Sequence, residues 1–111
     1  MEDKYEIRTY QNGTICYYKN GLLHRDIGPA IECINGIKKW YKEGKLHRLD
    51  DPAIEFADGS KEWFKEGKYH RLNGPAIEDA DGGKEWWYED KHIKCSSQEE
   101  FEGIINLQLF W

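Results

Sequence analysis

The 111-residue chain lacks most of the features that identify a secreted, membrane-spanning or zinc-binding protein. It has three cysteines, Cys16, Cys33 and Cys95, which are odd in number, widely spaced and outside any C-x-x-C pair. We therefore expect reduced thiols, with no disulfide framework and no metal site. No apolar run approaches the roughly 18 residues of a membrane helix, and the opening residues have no apolar signal-peptide core. These absences predict a cytoplasmic protein, or one of the host cytoplasm if the gene is viral.

The charge balance also excludes some functions. Sixteen Lys and Arg residues against 21 Asp and Glu give a net charge of -5, which disfavours a sequence-independent grip on nucleic acid or on an anionic membrane surface. The five Trp, seven Tyr and four Phe residues argue against disorder. No unique cluster of a nucleophile with a base is visible, because every histidine except His92 recurs in a repeat. We expect no enzyme activity and no cofactor.

Repetition is the main positive feature. A 23-residue unit begins at Tyr17, Trp40 and Trp63, and the second and third copies agree at 17 of 23 positions without insertion. A fixed period indicates stacked units, each completed by its neighbours. We interpret the chain as one domain, made of a half-repeat cap (1–16), three repeats (17–85), a second half-repeat (86–94) and a C-terminal helix with a tail (95–111).

Turn signals divide each unit into hairpins. The dipeptides Asn12-Gly13, Asn35-Gly36, Asp58-Gly59 and Asp81-Gly82 predict two-residue type I′ turns, which need positive φ at both central residues. With a two-residue loop at Asp58-Gly59, Ile54 falls opposite Trp63 and Ala53 opposite Phe64. The same arithmetic pairs Ile31 with Trp40, Ile77 with Trp86, Ala30 with Tyr41 and Ala76 with Trp87. We expect the Ile/Trp pairs to stack on one face of the sheet as the core.

A second turn and a helix complete the predicted architecture. Second turns are expected at Asn20-Gly21, Glu43-Gly44 and Glu66-Gly67, and Pro29, Pro52 and Pro75 are expected at strand starts. Ser97 with Glu100 forms a capping-box pattern, and Phe101, Ile104 and Ile105 share one helical face, so a short helix should begin near Gln98. The apolar LQLFW tail should dock on the sheet or meet a second chain. The predicted fold class is all-β: a single-layer meander of stacked β-hairpin repeats with a short C-terminal capping helix.

The pattern W-x-x-x-G-x-x-H-R-x-x-G-P-A with a D-G turn resembles a MORN repeat variant over about residues 12–94. The resemblance implies a single-layer β-hairpin stack used for scaffolding, dimerisation and partner binding, with phospholipid binding proposed for some members. Related variants occur in antitoxin-like bacterial proteins and viral reading frames. The chain departs from the commoner pattern in having His-Arg for His-Gly, Pro-Ala after the second glycine, and Asp51 where Gly28 and Gly74 stand in the other copies.

The recurring His-Arg pairs, His24-Arg25, His47-Arg48 and His70-Arg71, are candidate site residues. Equivalent positions lie two strands apart, about 9.5 Å, whereas two ligands of one zinc ion lie within about 4.2 Å of each other, so they cannot share a metal. The arginines either contact an anionic ligand or pair with Glu32, Glu55 and Glu78 on adjacent strands, and we favour pairing. His92 aligns with Leu46 and Tyr69, and we interpret it as a cap residue.

The aromatic row Tyr18, Tyr41, Phe64 and Trp87 is the predicted partner-binding surface, together with Arg25, His47, Arg48, His70 and Arg71. The alternative is that the C-terminal helix covers this row, and a homodimer that packs two such faces together would satisfy both. The leading hypothesis is a non-enzymatic protein-protein interaction or scaffolding module. One alternative is a small acidic inhibitor of the antitoxin or virus-encoded anti-defence type. The other is a protein whose arginine row binds phospholipid headgroups or another anion.

Overall fold

The computed structural model describes residues 2–107 as a flat, open β-structure whose principal extents are 45 × 37 × 17 Å. The strands are β1 (Tyr5–Thr9), β2 (Ile15–Lys19), β3 (Leu22–Leu23), β4 (Ile31–Glu32), β5 (Lys38–Lys39), β6 (Tyr41–Lys42), β7 (Lys45–Leu46), β8 (Ile54–Glu55), β9 (Lys61–Glu62), β10 (Phe64–Lys65), β11 (Lys68–Tyr69), β12 (Ile77–Glu78), β13 (Lys84–Tyr88) and β14 (Lys91–Ile93). One helix, α1 (Gln98–Leu107), follows them. The predicted all-β meander with a C-terminal helix is confirmed.

The main sheet runs almost in chain order. Its antiparallel neighbours are β1-β2-β4-β5-β8-β9-β12-β13-β14, with β3 paired to β2, and the sheet does not close on itself. The second and third repeats therefore each supply two strands to the sheet, and the first supplies β4 and β5 together with β3 and most of β2. The short pairs β6-β7 and β10-β11 form separate two-stranded arms. Sequence period and spatial period coincide, so equivalent residues form rows across the molecule.

The predicted geometry of the Asp-Gly turns is wrong by one residue. Ile54 lies opposite Glu62, not Trp63. The Phe56 N–H donates to the Ser60 carbonyl over 3.0 Å, and only Gly59 of the intervening residues has positive φ, at 95°. This is a three-residue loop in which a type I turn precedes a left-handed glycine. A shift of one residue changes which side chains share a face.

The two-residue type I′ turns occur instead at the second turn of each unit. Glu66 and Gly67 both have positive φ, 51° and 82°, between the paired residues Lys65 and Lys68. The same turn forms at 20–21, 43–44 and 89–90. A non-glycine residue in the left-handed region costs about 1–2 kcal/mol, so an additional contact must hold each of these turns.

The predicted stack of Ile/Trp pairs as the core is wrong as a consequence of the register. Ile54 instead forms a buried cluster with Ala53 and Phe64. Partly buried residues surround this cluster: Ile37, Leu46, Phe56 and Tyr69. The Trp63 ring consequently needs cover from another part of the chain.

Backbone hydrogen bonds join the parts of each repeat and fasten it to the next. Within a repeat, the Trp63 N–H donates to Ala76 O over 2.8 Å, and Trp40 donates in the same way to Ala53 O. The Gly67 N–H donates to Leu46 O over 2.7 Å, which joins the two-stranded arms of neighbouring repeats. The alanines at this step are fully buried, because the strands approach closely there.

The C-terminal helix begins at Gln98, as predicted. Ser97 Oγ accepts a hydrogen bond from the Glu100 N–H over 3.1 Å, while Glu100 Oε1 accepts from the Ser96 N–H over 2.7 Å. The predicted face of Phe101, Ile104 and Ile105 packs on β13 and β14. No helix within residues 2–107 has the length and apolarity to cross a membrane. The prediction for the LQLFW tail falls largely on residues 108–111, which lie outside the described residues.

Candidate functional site

A row of arginines covers a row of aromatic rings on one face. The Arg71 guanidinium carbon lies 3.7 Å from the centre of the Trp63 ring. Arg48 covers Trp40 and Arg25 covers Tyr17, each at 3.8 Å. A guanidinium over an aromatic face gains cation–π attraction and shields the ring from water. The arginine of each His-Arg pair is therefore part of the packing.

Each arginine also pairs with a carboxylate of its own repeat. Arg71 Nη1 donates to Glu78 Oε2 over 2.9 Å and to the Pro75 carbonyl over 3.0 Å. The same contacts join Arg25 to Glu32 and Pro29, and Arg48 to Glu55 and Pro52. The pairing that the sequence favoured is confirmed, and the glutamates compensate the charge of the row.

The middle repeat departs from its neighbours at Asp51. A Cβ added at the equivalent Gly74 would lie 2.5 Å from the Arg71 guanidinium carbon, so a side chain there would require the guanidinium to shift. In the middle repeat Asp50 takes a positive φ of 66°, and the Asp51 carboxylate lies 3.8 Å from Arg48 Nη2. In the middle repeat Arg48 therefore has a second acidic partner, Asp51, in addition to Glu55.

The histidines fix the type I′ turn of the following repeat. His47 Nδ1 accepts a hydrogen bond from the Glu66 N–H over 3.0 Å, and His70 Nδ1 accepts from the Glu89 N–H over 3.1 Å. His24 does the same for Glu43, and its Nε2 donates to Asp26 Oδ1 over 2.8 Å. Nδ1 must be unprotonated to accept. This role was not predicted, although the interval of 19 residues between each histidine and the turn glutamate is a usable signal.

The surroundings of His47 and His70 favour the neutral form of each ring. Burial lowers the pKa of His47, and the nearby ammonium groups of Lys42 and Lys65 lower it further. Burial also lowers the pKa of His70, with a smaller contribution from Lys65. His92 has a different role: its ring lies 5.1 Å from the centre of the Trp87 ring, at the end of the sheet.

Three open grooves lie in a row: the first between β1 and the first His-Arg loop, and the other two between successive His-Arg loops. Their volumes are about 300, 250 and 340 Å³ in chain order, and each is lined by two adjacent aromatic residues, with one His-Arg pair in the first groove and two in each of the others. The predicted site residues that line them are Tyr18, Tyr41, Phe64, Arg25, His47, Arg48, His70 and Arg71. Trp87 does not line them; its ring packs against Tyr69 and His92. Phe64 is only 8% exposed, so it contributes more to the core than to the groove surface.

Exposed aliphatic residues form the rims of the grooves. Ile27, Leu49 and Leu72 are 87%, 78% and 53% exposed, and each follows a His-Arg pair. Sequence reasoning did not select these residues, although an apolar residue in a loop between His-Arg and Pro-Ala was visible. Aliphatic side chains repeated along one edge are typical of a contact surface.

At the C-terminal end, α1 fills the position where a fourth groove would lie. Gln98 Oε1 accepts a hydrogen bond from Trp86 Nε1 over 2.8 Å, and Gln98 Nε2 donates to the Leu72 carbonyl over 2.8 Å. Phe101, fully buried, packs with Trp86 and Ile93. The equivalent Trp63 Nε1 is buried without a hydrogen-bond partner among the described residues. The helix therefore covers Trp86, which is the last member of the row formed by Trp40, Trp63 and Trp86.

Comparison with protein-family models, with curated proteins and with solved structures found no match to this chain. The resemblance to MORN repeats stays a prediction. Residues 2–107 contain no group of three or more His, Cys, Asp or Glu side chains placed to hold a metal ion. The site is consequently characterised by its geometry: three open grooves in a row and a fourth occupied by the chain's own helix.

Proposed function

We propose that this chain is a non-enzymatic protein-binding module whose three open grooves hold an amphipathic helix of another protein. The observation that carries the proposal is the docking of α1. There an amide side chain and a phenyl ring one turn apart pack against Trp86, the equivalent of Trp40 and Trp63, which line the second and third open grooves. Helix-in-groove recognition uses apolar anchors with this kind of spacing.

The dimensions of the groove row suit such a partner. The groove volumes, 250 to 340 Å³, lie near the lower end of the roughly 300–1,000 Å³ typical of small-molecule sites. Each groove accommodates one large side chain. Successive grooves are two strands apart, about 9.5 Å. Seven residues of helix advance about 10.5 Å, which is close to this spacing. Side chains at i, i+7 and i+14 of one helix can therefore each enter one groove.

The surface around the grooves combines apolar and basic side chains. Leu49 and Leu72 offer apolar contact at the rim, while Lys42 and Lys65 line the second and third grooves. A helix with an apolar stripe flanked by glutamate or aspartate complements this arrangement. Trp63 Nε1, which lacks a partner, would gain one from an amide or carbonyl oxygen that reaches it as Gln98 reaches Trp86.

The arginine row gives less support to the headgroup hypothesis. Each guanidinium already binds a glutamate and a proline carbonyl and lies on an aromatic ring. An anionic ligand would have to displace the glutamate. A carboxylate is held at each repeat, so the row has little uncompensated positive charge.

The proposal is tested by selecting peptides from a displayed random library on the full chain and measuring their affinity for two matched variants. L49E places a charge on a groove rim, whereas I34E changes a residue of similar exposure, 80% against 78%, that lines none of the three grooves. We expect selected peptides to become helical on binding, to lose at least about tenfold affinity for L49E, and to bind I34E as they bind the wild type. Failure to enrich any peptide, or equal binding to all three proteins, would contradict the proposal.

A further inference from the structure

The first strand of the sheet is an open edge. Strand β1 pairs with β2 on one side, and within residues 2–107 its other side has no strand partner. All five of its residues are exposed. At the opposite end of the sheet, β14 is shorter and its Ile93 is buried beneath α1. A five-residue edge without proline or bulge is a ready template for another strand.

The pairing of β1 with β2 determines which backbone groups of β1 are free to pair with another strand. The Asn20 N–H donates to Lys4 O, and the Tyr10 N–H donates to Thr14 O, so the even-numbered residues direct their backbone groups toward β2. Backbone direction alternates along a strand. The N–H and C=O groups of Tyr5, Ile7 and Thr9 consequently point away from the sheet, toward the open edge.

We propose that this edge binds a second copy of the same chain, with the two β1 strands antiparallel about a two-fold axis at Ile7. Ile7 then exchanges both backbone hydrogen bonds with Ile7 of the second copy, and Tyr5 does so with Thr9 of the second copy. This register uses every outward N–H and C=O of the strand. It joins the two sheets into one continuous sheet.

The side chains are self-complementary in this register. Glu6 lies directly opposite Arg8 of the second copy, in a pair without backbone hydrogen bonds, where side chains approach most closely. Within one chain Arg8 Nε already contacts Glu6 Oε2 at 2.6 Å. The dimer extends this contact to four alternating charges, and no like charges face each other across the axis.

The apolar residues of β1 support the same partner. Tyr5 and Ile7 are 63% and 64% exposed. Ile7 lies opposite Tyr17 in the sheet, so it is on the face that carries Tyr17 and the tryptophan row. Pairing brings the two Ile7 side chains together beside Tyr17 of each copy and removes them from water. Tyr5, Glu6 and Ile7 also line the first groove, whereas the second and third grooves contain no residue of β1.

The experiment is sedimentation velocity on the full chain from micromolar to millimolar concentration, with three variants. I7P removes an N–H that points to the open edge and leaves the β1–β2 hydrogen bonds in place, so it should fold and stay monomeric. E6R and R8E each place like charges across the axis, and each alone should dimerise at least about tenfold more weakly than the wild type. An equimolar mixture of E6R and R8E restores opposite charges and should recover the dimer.

If Glu6 and Arg8 only stabilised the fold of their own chain, mixing E6R with R8E would not restore the dimer. Recovery in the mixture therefore shows that the two residues pair between chains. A wild-type chain that stays monomeric up to millimolar concentration would overturn the proposal. So would a dimer that I7P retains in full while its amide spectrum matches that of the wild type, or a mixture that dimerises no better than its two components.

Discussion

Trp63 and Trp86 occupy the same position in successive units, yet they are covered in different ways. Trp63 lies beneath the Arg71 guanidinium, whereas Trp86 lies beneath α1 and donates to Gln98. At the last unit Lys94 and Ile93 stand where Arg71 and His70 stand in the repeat. An internal repeat can leave a groove open because the next repeat continues the sheet. The last unit is instead followed by α1, which closes its groove.

The largest effect should come from removing the helical side chain that closes the last groove. F101A deletes a fully buried ring and should lower the free energy of unfolding by about 3–5 kcal/mol. Urea denaturation measures this loss. L107A, at an exposed residue of the same helix, should change the free energy by no more than about 0.5 kcal/mol. A cost for F101A below about 1 kcal/mol would mean that α1 does not stabilise the last unit.

A smaller effect should follow from removing the cover of an internal repeat. R71A uncovers Trp63 and leaves Glu78 without its partner, which should cost about 1–3 kcal/mol. R71K should restore only part of this loss, because an ammonium lacks the planar stack and the fork of donors. The matched control is K94A, at the equivalent but exposed position of the last unit. Equal costs for R71A and K94A in urea denaturation would remove the distinction between the two units.

The smallest of the three effects is a pH dependence confined to the internal repeats. Burial lowers the folded-state pKa of His47 and His70 below the unfolded value of about 6.5. Above that pH the two rings are neutral in both the folded and the unfolded state, and their contribution to stability is fully present. Below it, the rings bind protons in the unfolded chain while they stay neutral in the folded chain. The free energy of unfolding should therefore fall as the pH drops from 6.5 through the folded-state pKa.

Urea denaturation between pH 7.5 and 5.5 tests the histidine prediction. The four charged groups near these rings are Lys42, Lys65, Glu66 and Glu89, and the Tyr88 ring packs edge-on against His70. The double variant H47Q/H70Q retains all four and should have a flatter dependence on pH than the wild type. An unchanged slope in this variant would show that other groups cause the dependence.

The sequence was sufficient to predict the features that a period or a local contact determines. The repeat spacing, the start of α1 and the pairing of Arg71 with Glu78 were predicted and are present. Each depends on a short interval along the chain. The covering of Trp63 by Arg71 was not predicted, because it requires the orientation of the loop that carries the arginine.

The turn geometry was predicted incorrectly for a physical reason. An Asp-Gly pair suits both a two-residue type I′ turn and a three-residue loop ending in a left-handed glycine, because glycine tolerates positive φ in either. Asp58 and Gly59 adopt the second form. The type I′ turn forms at Glu66-Gly67, where residue preference gives a weaker signal and the His47 ring accepts the turn's free N–H. That contact spans two repeats and cannot be inferred from the turn residues alone.

The equivalence between the open grooves and the groove filled by α1 can be measured most directly by NMR. A synthetic peptide with the sequence of residues 96–107 is titrated into the full wild-type chain while the indole N–H resonances are followed. The account predicts shifts at Trp40 and Trp63 with little change at Trp86, and loss of these shifts when the peptide carries alanine in place of Gln98 and Phe101. The absence of any indole shift at millimolar peptide, or shifts at Trp86 alone, would contradict it.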